Sequence, residues 1–408
     1  MARVAVTGAG FYSPIGNDWD TVAAHLARGA NGVRYFADWA RYDGLNALLG
    51  ADVKDFEPPP SFTRKRTRTM GRVSLLATAA SEQALRQAGL LDDPVLQSGR
   101  AGVSYGSSTG STDAVTEFGR MIWEESLDRV NGTSYLRMMG HTAPVNIGVF
   151  FGLQGRVYTT SSACTSGSQG IGYAYEAIRH GLQDVMIAGG AEELCPTEVA
   201  VFDTLYATST RNDEPGRTPR PFDRDRDGLV IGEGACTLIL ENLAHAQARG
   251  APILAELVGF GTNSDGRHVT QPSAETMRVA MKLALQDAGL GPGAIGYVSA
   301  HGTATERGDI AESHATLKMF GERMPISSMK SYLGHTLGAC GALESWFAIE
   351  MMNRGWFAPT VNLEHPDERC APLDYIMGEA RSVQTEFVMN NNFAFGGINT
   401  SLIFRRIG

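Results

Sequence analysis

Short apolar runs that end in small residues alternate along the chain with longer stretches of helical period. "RVAVTGAG" near the start reads as a buried strand running into a glycine turn, and residues 70 to 88 carry helical patterning. "RAGVSYGSSTGS" (100–111) reads as a strand and a glycine loop. "RVYTT" is a strand leading to Cys164, and a helix follows to about Arg179. Its inner face is Gly167, Gly170, Ile171, Ala174 and Ile178, and Gly181 ends it as C-terminal helix signals require. "DVMIAGGAEE" is a further apolar strand.

The second half repeats the theme. "APILAELVGFGTNSDG" opens it with a strand, and "AIGYVSAHGT" is a strand ending at His301. "PISSMKSYLGHTLGACGALESWFAIEMM" reads as strand, loop and long helix. "EFVMNNNFAFGGINTSLIF" reads as two strands joined by a glycine turn. Strands alternating with helices predict an α/β protein. A length of 408 residues suggests two or three domains, or two fused halves.

Composition sharpens this only in places. Glycine, at 48 of 408 residues, is well above its usual ~7 %, and it clusters in turns beside apolar runs. A net charge of −9 argues against a general nucleic-acid role. The stretch "TRKRTRTMGR" (63–72) opposes that sign and suits either a solvated helix start or a docking patch for an acidic partner. The five cysteines lie far apart without CxxC spacing, so neither a zinc site nor a disulfide framework is indicated. No signal peptide or membrane-length apolar run is present, and a reducing cytoplasm is the expected compartment.

The chemistry centres on "SSACTSGSQG". A thiol at a helix N-terminus meets free N–H groups and the positive end of the helix dipole, which favour thiolate, although a buried structural cysteine fits the local pattern equally well. His301 and His335 each sit beside glycine between a strand and a helix, where α/β sites gather, and Lys330 lies five residues before His335. Asp309 and Glu312 are spaced as a helix-capping pair. Gly8-Ala9-Gly10 lacks the third glycine of a dinucleotide fingerprint. "DRDRDGLVIGEG" opens like a calcium loop but has Gly234 at the twelfth position, where a glutamate is needed.

Taken together, the chain resembles the elongating β-ketoacyl-[acyl-carrier-protein] synthases of the thiolase-like superfamily. The resemblance spans nearly its whole length. It rests on "SSACTSG", "AGGAEELC", "DRDGLVIGEGA", "AHGTATERGD", "MKSYLGHTLGACGALES" and "NNFAFGGINTSLIF", in the family's order. It implies a duplicated α/β fold of five layers, α-β-α-β-α, with halves at 1–250 and 251–408. By the same resemblance Cys164 takes the acyl chain as a thioester, while His301 and His335 polarise the malonyl thioester carbonyl. Lys330 with Glu344 balances the site's charge, and Lys330 orients His335. The amides of Cys164 and Phe395 form an oxyanion hole. Phe393 and Phe395 match gating aromatics, Thr303, Thr305 and Glu312 match substrate contacts, and Thr109 bears on pocket depth. Lys65 and Arg68 match positions that grip acyl carrier protein. No cofactor is implied beyond the carrier's phosphopantetheine, and the chain is expected as a homodimer, or as a heterodimer with a homologous chain-length factor.

Four residues depart from the family's pattern: Leu229 where phenylalanine is usual, Glu306-Arg307 for proline and a small residue, and Thr165 where fatty-acid enzymes commonly carry alanine. These leave two substrate readings, fatty-acid elongation and a dedicated type II polyketide or polyene pathway. Retention of Cys164, His301 and His335 argues against a non-catalytic chain-length factor. His335, where Asn or a second Cys would stand, argues against a thiolase or a CoA-primed initiating synthase.

Overall fold

In the computed structural model, which describes residues 1–407, eleven strands form one mixed sheet. In chain order they are β1 (Val4–Tyr12), β2 (Ala101–Gly106), β3 (Val157–Thr159), β4 (Val185–Glu192), β5 (Gly234–Asn242), β6 (Ala255–Ser264), β7 (Ile295–Ser299), β8 (Pro325–Ser327), β9 (Asp374–Tyr375), β10 (Phe387–Ala394) and β11 (Ile398–Arg405). Their spatial order is β9-β8-β7-β10-β11-β6-β1-β5-β4-β2-β3.

That order contains the same five-strand pattern twice. In the N-terminal half β1 pairs antiparallel with β5, β5 antiparallel with β4, β4 parallel with β2, and β2 parallel with β3. In the C-terminal half β6–β11, β11–β10, β10–β7 and β7–β8 repeat the sequence antiparallel, antiparallel, parallel, parallel. The duplication that sequence similarity between the halves is too faint to show is explicit in the topology. The half-sheets are not separate, because Val4, Ala5 and Val6 of β1 pair with Leu257, Glu256 and Ala255 of β6.

Five helices complete the layers: α1 (Arg72–Gln87), α2 (Ser166–Arg179), α3 (Ala274–Ala288), α4 (Glu306–Phe320) and α5 (Cys340–Arg354). Helix α1 covers β1, β5 and β4 from outside, and α3 covers β6 and β11 with α4 against it. Helices α2 and α5 lie between the half-sheets, touch each other and contact strands of both halves. Helix α2 is therefore buried on nearly every face, beyond the single inner stripe its periodicity predicts. The two helices approach so closely that a Cβ on Gly167 would lie 2.8 Å from the Gly338 carbonyl, and one on Gly341 would lie 2.8 Å from the Ser168 backbone N. Small residues at both crossings permit this separation.

One local expectation is corrected here. Gly8 and Gly10 form no turn; they sit inside the nine-residue strand β1. A Cβ at either would run into a carbonyl of α1, that of Ala84 or Ala80. Their smallness lets helix and strand touch, which is an effect of packing and not of backbone freedom.

Candidate active site

The two halves bring equivalent corners together. Before α2 a short 3-10 turn, Ala163–Thr165, follows strand β3; before α5 the turn Leu337–Ala339 follows β8. Each begins with a side-chain-bearing residue at positive φ, Ala163 at 51° and Leu337 at 43°. Such left-handed positions are strained for residues other than glycine and concentrate at functional sites. Cys164 is the second residue of its turn, and Gly338 holds the corresponding place in the other half.

The thiol is buried, and His335 Nε2 lies 3.0 Å from its Sγ. The rings of His301 and His335 meet edge to face with centroids 5.2 Å apart. The thiol sulfur and one nitrogen of each ring fall within 4.8 Å of one another. Which nitrogen carries the proton follows from the neighbours. The backbone N–H of Leu337 donates to His335 Nδ1 at 3.2 Å. The Lys330 ammonium lies 3.2 Å from His301 Nδ1 and can only donate to it. Burial pushes both imidazoles well below their ordinary pKa, so each ring is neutral and carries its proton on Nε2. Two N–H donors thus face one small volume beside the thiol. The same tautomers oppose a resident metal, since each Nε2 would have to shed the proton its Nδ1 contact keeps there.

Burial pushes the Cys164 thiol up to about 11, partly offset by the Lys330 charge and by hydrogen bonds from the backbone N–H groups of Phe395 and of Cys164 itself. These two amides converge on the sulfur. Lys330 bonds Glu344 Oε1 at 2.5 Å, and Asn392 Nδ2 bonds Glu344 Oε2 at 2.7 Å. Burial pulls Lys330 down, but the charge and hydrogen bond of Glu344 hold it above its usual value, and it stays protonated. It orients His301, not His335 as expected, because His335 is held by the Leu337 amide.

A cavity of about 490 Å³ reaches Cys164, His301 and His335 and is lined by Thr303, Thr305, Glu312, Leu229, Phe393 and Phe395. The hydroxyls of Thr303 and Thr305 are 2.9 Å apart. Phe393 stands edge-on to His301 at 6.1 Å, and Phe395 packs on Phe202 at 5.1 Å. Asp309 and Glu312 are not the capping box their spacing suggests. Asp309 accepts from the amides of Thr303, Ala304 and Phe222; Glu312 accepts from those of His301 and Gly302, both at 2.7 Å. The two carboxyls shape the loop that presents His301.

Thr109 lies outside this cavity, since its hydroxyl is spent on Glu198 at 2.9 Å. Thr165 also points away, bonding the Ser162 carbonyl at 2.8 Å. Glu344 and Lys330 sit behind the histidines and do not line the cavity. The "DRDRDG" segment is tied to a distant loop: Asp223 accepts from the amides of Asp225, Glu364 and His365. In the basic stretch, Arg66 is taken by the Phe150 carbonyl and Arg72 by Glu233, while Lys65 and Arg68 are exposed and make no ion pair among the described residues. Asn392 and Cys340, whose Sγ lies 3.2 Å from the Cys164 carbonyl, escaped the sequence reading. The polar run "NNN" inside an apolar strand was the available signal for Asn392.

Fold and site define a class: a two-halved α/β protein with a buried thiol beside two histidines at the base of one cavity, an arrangement suited to acyl transfer through a cysteine. The comparisons agree. Residues 1–246 match "Beta-ketoacyl synthase, N-terminal domain" and residues 254–364 match "Beta-ketoacyl synthase, C-terminal domain". The chain is 36 % identical over 413 residues to 3-oxoacyl-[acyl-carrier-protein] synthase 2 of Coxiella burnetii, covering 99 % of each. It is 36 % identical over 411 residues to synthase 1 of Escherichia coli, covering 100 % of each. Among solved structures, a β-ketoacyl synthase of Burkholderia phymatum STM815 is 60 % identical with a TM-score of 0.99, and the ishigamide ketosynthase/chain length factor is 31 % identical with a TM-score of 0.90, each covered completely. The chain belongs to the β-ketoacyl synthase family and is an acyltransferase.

Proposed function

We infer that this chain elongates acyl groups on acyl carrier protein by decarboxylative condensation, within fatty-acid synthesis. The carrying observation is the pair of Nε2–H donors facing a helix-N-terminal thiol in one cavity. In the first half-reaction Cys164 attacks the acyl-carrier thioester. The new carbon–sulfur bond forms, the carrier's thiol leaves, and the proton passes from one sulfur to the other, so no net base is consumed. The tetrahedral oxyanion lies between the amides of Cys164 and Phe395.

In the second half-reaction malonyl-carrier loses CO₂, and its electrons move onto the thioester oxygen. His301 and His335 donate to that enolate oxygen. The enolate carbon then attacks the Cys164 thioester, the thiolate departs and takes up a proton, and a 3-oxoacyl carrier thioester two carbons longer is released. A covalent thioester suits a group that both attacks and leaves well. Thr303 and Thr305 line the malonyl side, with Phe393, Phe395 and Leu229 around them. Lys330 and Glu344 hold His301, and Glu312 holds its backbone.

The halves 1–250 and 251–408 act as one unit, one supplying the thiol and the other both histidines. The exposed edge strand β3 and the apolar Ile122, Trp123 and Val149 suit a second copy of the chain or a homologous chain-length factor. Lys65 and Arg68 suit an acidic carrier in a reducing cytoplasm. Acylation of Cys164 by acyl-carrier protein, read by intact mass, and discharge by malonyl-carrier protein test the mechanism. Condensation by Cys164→Ala would overturn it.

A second reading, a dedicated polyketide or polyene pathway, rests on Leu229 and Glu306-Arg307, which line the cavity, while Thr165 does not face it. Comparing saturated with polyunsaturated acyl chains in the same assay separates the two.

A further inference from the structure

The condensing chemistry uses one thiol and leaves a second, also buried, beside it. Cys340 opens α5 as Ser166 opens α2, each the first helical residue after its 3-10 turn. The two side chains do different things. The Ser166 hydroxyl turns back within its own half and donates to the Ala163 carbonyl at 2.7 Å. Cys340 turns across to the other half, where its S–H donates to the carbonyl of Cys164 itself at 3.2 Å. Asn392 Nδ2 stands 3.7 Å from the same sulfur.

A carbonyl oxygen lies about 2.4 Å from its own Cα, so the Cys340 sulfur is within about 6 Å of the Cys164 Cα. The backbones touch close to the pair as well. A Cβ on Gly341 would meet the Ser168 N, and one on Gly167 the Gly338 carbonyl, each at 2.8 Å. Backbone contact of this kind brings two cysteines into the range of a disulfide, with Cα atoms within about 7 Å. Access separates the two sulfurs. Cys164 lines the catalytic cavity, whereas Cys340 does not and is 1 % exposed. A small oxidant entering the cavity therefore reaches Cys164 first. Burial pushes both thiols up, and the Lys330 charge pulls each back. One ammonium thus favours the thiolate, the form that attacks, at either sulfur.

We propose that Cys340 is a resolving thiol for Cys164, capturing the oxidised nucleophile as a Cys164–Cys340 disulfide, with hydrogen peroxide as the oxidant. The Cys164 thiolate attacks one peroxide oxygen. The S–O bond forms, the O–O bond breaks, and hydroxide leaves and takes up the proton the thiol gave up, as water. The sulfur is oxidised by two electrons to a sulfenic acid and the peroxide is reduced. The Cys340 sulfur then attacks the Cys164 sulfur. The S–S bond forms, the S–O bond breaks, and hydroxide leaves with the Cys340 proton as a second water. The linked Cys164 has turned from His335 and holds no acyl group, so acyl transfer stops until a thiol reductant reopens the bond. The link also keeps Cys164 from the irreversible sulfinic and sulfonic acids.

The test adds limited hydrogen peroxide to the wild-type protein, to Cys340→Ala and to Cys340→Ser. Each is followed by intact mass, by peptide mapping and by acylation from acyl-carrier protein relative to the same protein untreated. The wild type loses the mass of two hydrogens, yields a peptide pair joining Cys164 to Cys340, and regains most of its acylation with dithiothreitol. Both variants gain two or three oxygens at Cys164 and stay at least about tenfold below their untreated value after dithiothreitol. An unchanged wild-type mass, or oxygen addition at Cys164 without the linked peptides, would overturn the proposal. So would a link from Cys164 to another cysteine, or recovery of the variants as full as that of the wild type. The mass readout is independent of acyl transfer. Untreated wild type that accepts no acyl group would therefore remove the condensing function inferred above, while the masses still decide the thiol pair.

Discussion

The Leu337 amide donates to His335 Nδ1 at 3.2 Å, and that contact decides which ring nitrogen faces Cys164. A backbone N–H cannot reverse its role, so His335 is a fixed donor through Nε2 and not a base. His335→Ala should slow malonyl-carrier decarboxylation by about 10²–10³, the usual cost of one lost donor. Because burial keeps both histidines neutral, the decarboxylation rate should show no inflection near the ordinary histidine pKa of 6.5. An inflection there, in a pH–rate profile taken on protein that remains folded, would show that an imidazolium does the work.

The Lys330–Glu344 pair offers a second prediction. Both groups are fully buried, and removing one partner strands the other's charge. Lys330→Met should destabilise the fold by about 3–5 kcal/mol, and adding Glu344→Leu should recover part of that loss. Activity should not recover with it, since His301 Nδ1 then lacks its donor. Urea denaturation of the four proteins of the cycle measures the coupling. A double variant no more stable than the single one would contradict the account.

Stability should also fall with rising pH across about 7 to 8. Burial pushes the Glu312 carboxyl up to about 8, against the pull of the His301 and Gly302 amides. In this window the folded chain keeps a proton that the unfolded chain has already released, so raising pH favours unfolding. His301 and His335 act with the opposite sign, but only at lower pH, where the unfolded rings gain protons that the buried ones refuse. Glu312→Gln should flatten the slope of denaturation midpoint against pH between 7 and 8; a slope that survives the substitution must arise elsewhere.

How far the sequence was legible depends on whether a feature lies along the chain or across it. Strand and helix identities, and the helix-N-terminal position of Cys164, are local and were readable. The union of Cys164, His301 and His335 came from the family resemblance. Contacts between distant segments were misread. Gly8 and Gly10 looked like a turn because only packing against Ala80 and Ala84 of α1 explains them. Lys330 was assigned to His335, five residues away, although the short helix Lys330–Leu333 carries its ammonium to His301. Asp309 and Glu312 had the spacing of a cap, but their carboxyls reach across to the preceding loop. Thr109 and Thr165 sit beside motif residues, but their hydroxyls are spent on Glu198 and Ser162.

Strand β1 is made long before its neighbours in the sheet, β5 and β6: Val4 faces Asn242 on one side and Leu257 on the other. Its β5 edge stays open until Asn242 is made and its β6 edge until Leu257 is made. The nucleophile waits longer, because the groups that tune it, from His301 to Phe395, are translated last. A nascent chain therefore carries this thiol without its histidines and without the Phe395 amide through most of its synthesis, and assisted acyl transfer becomes possible only as the second half closes over the first.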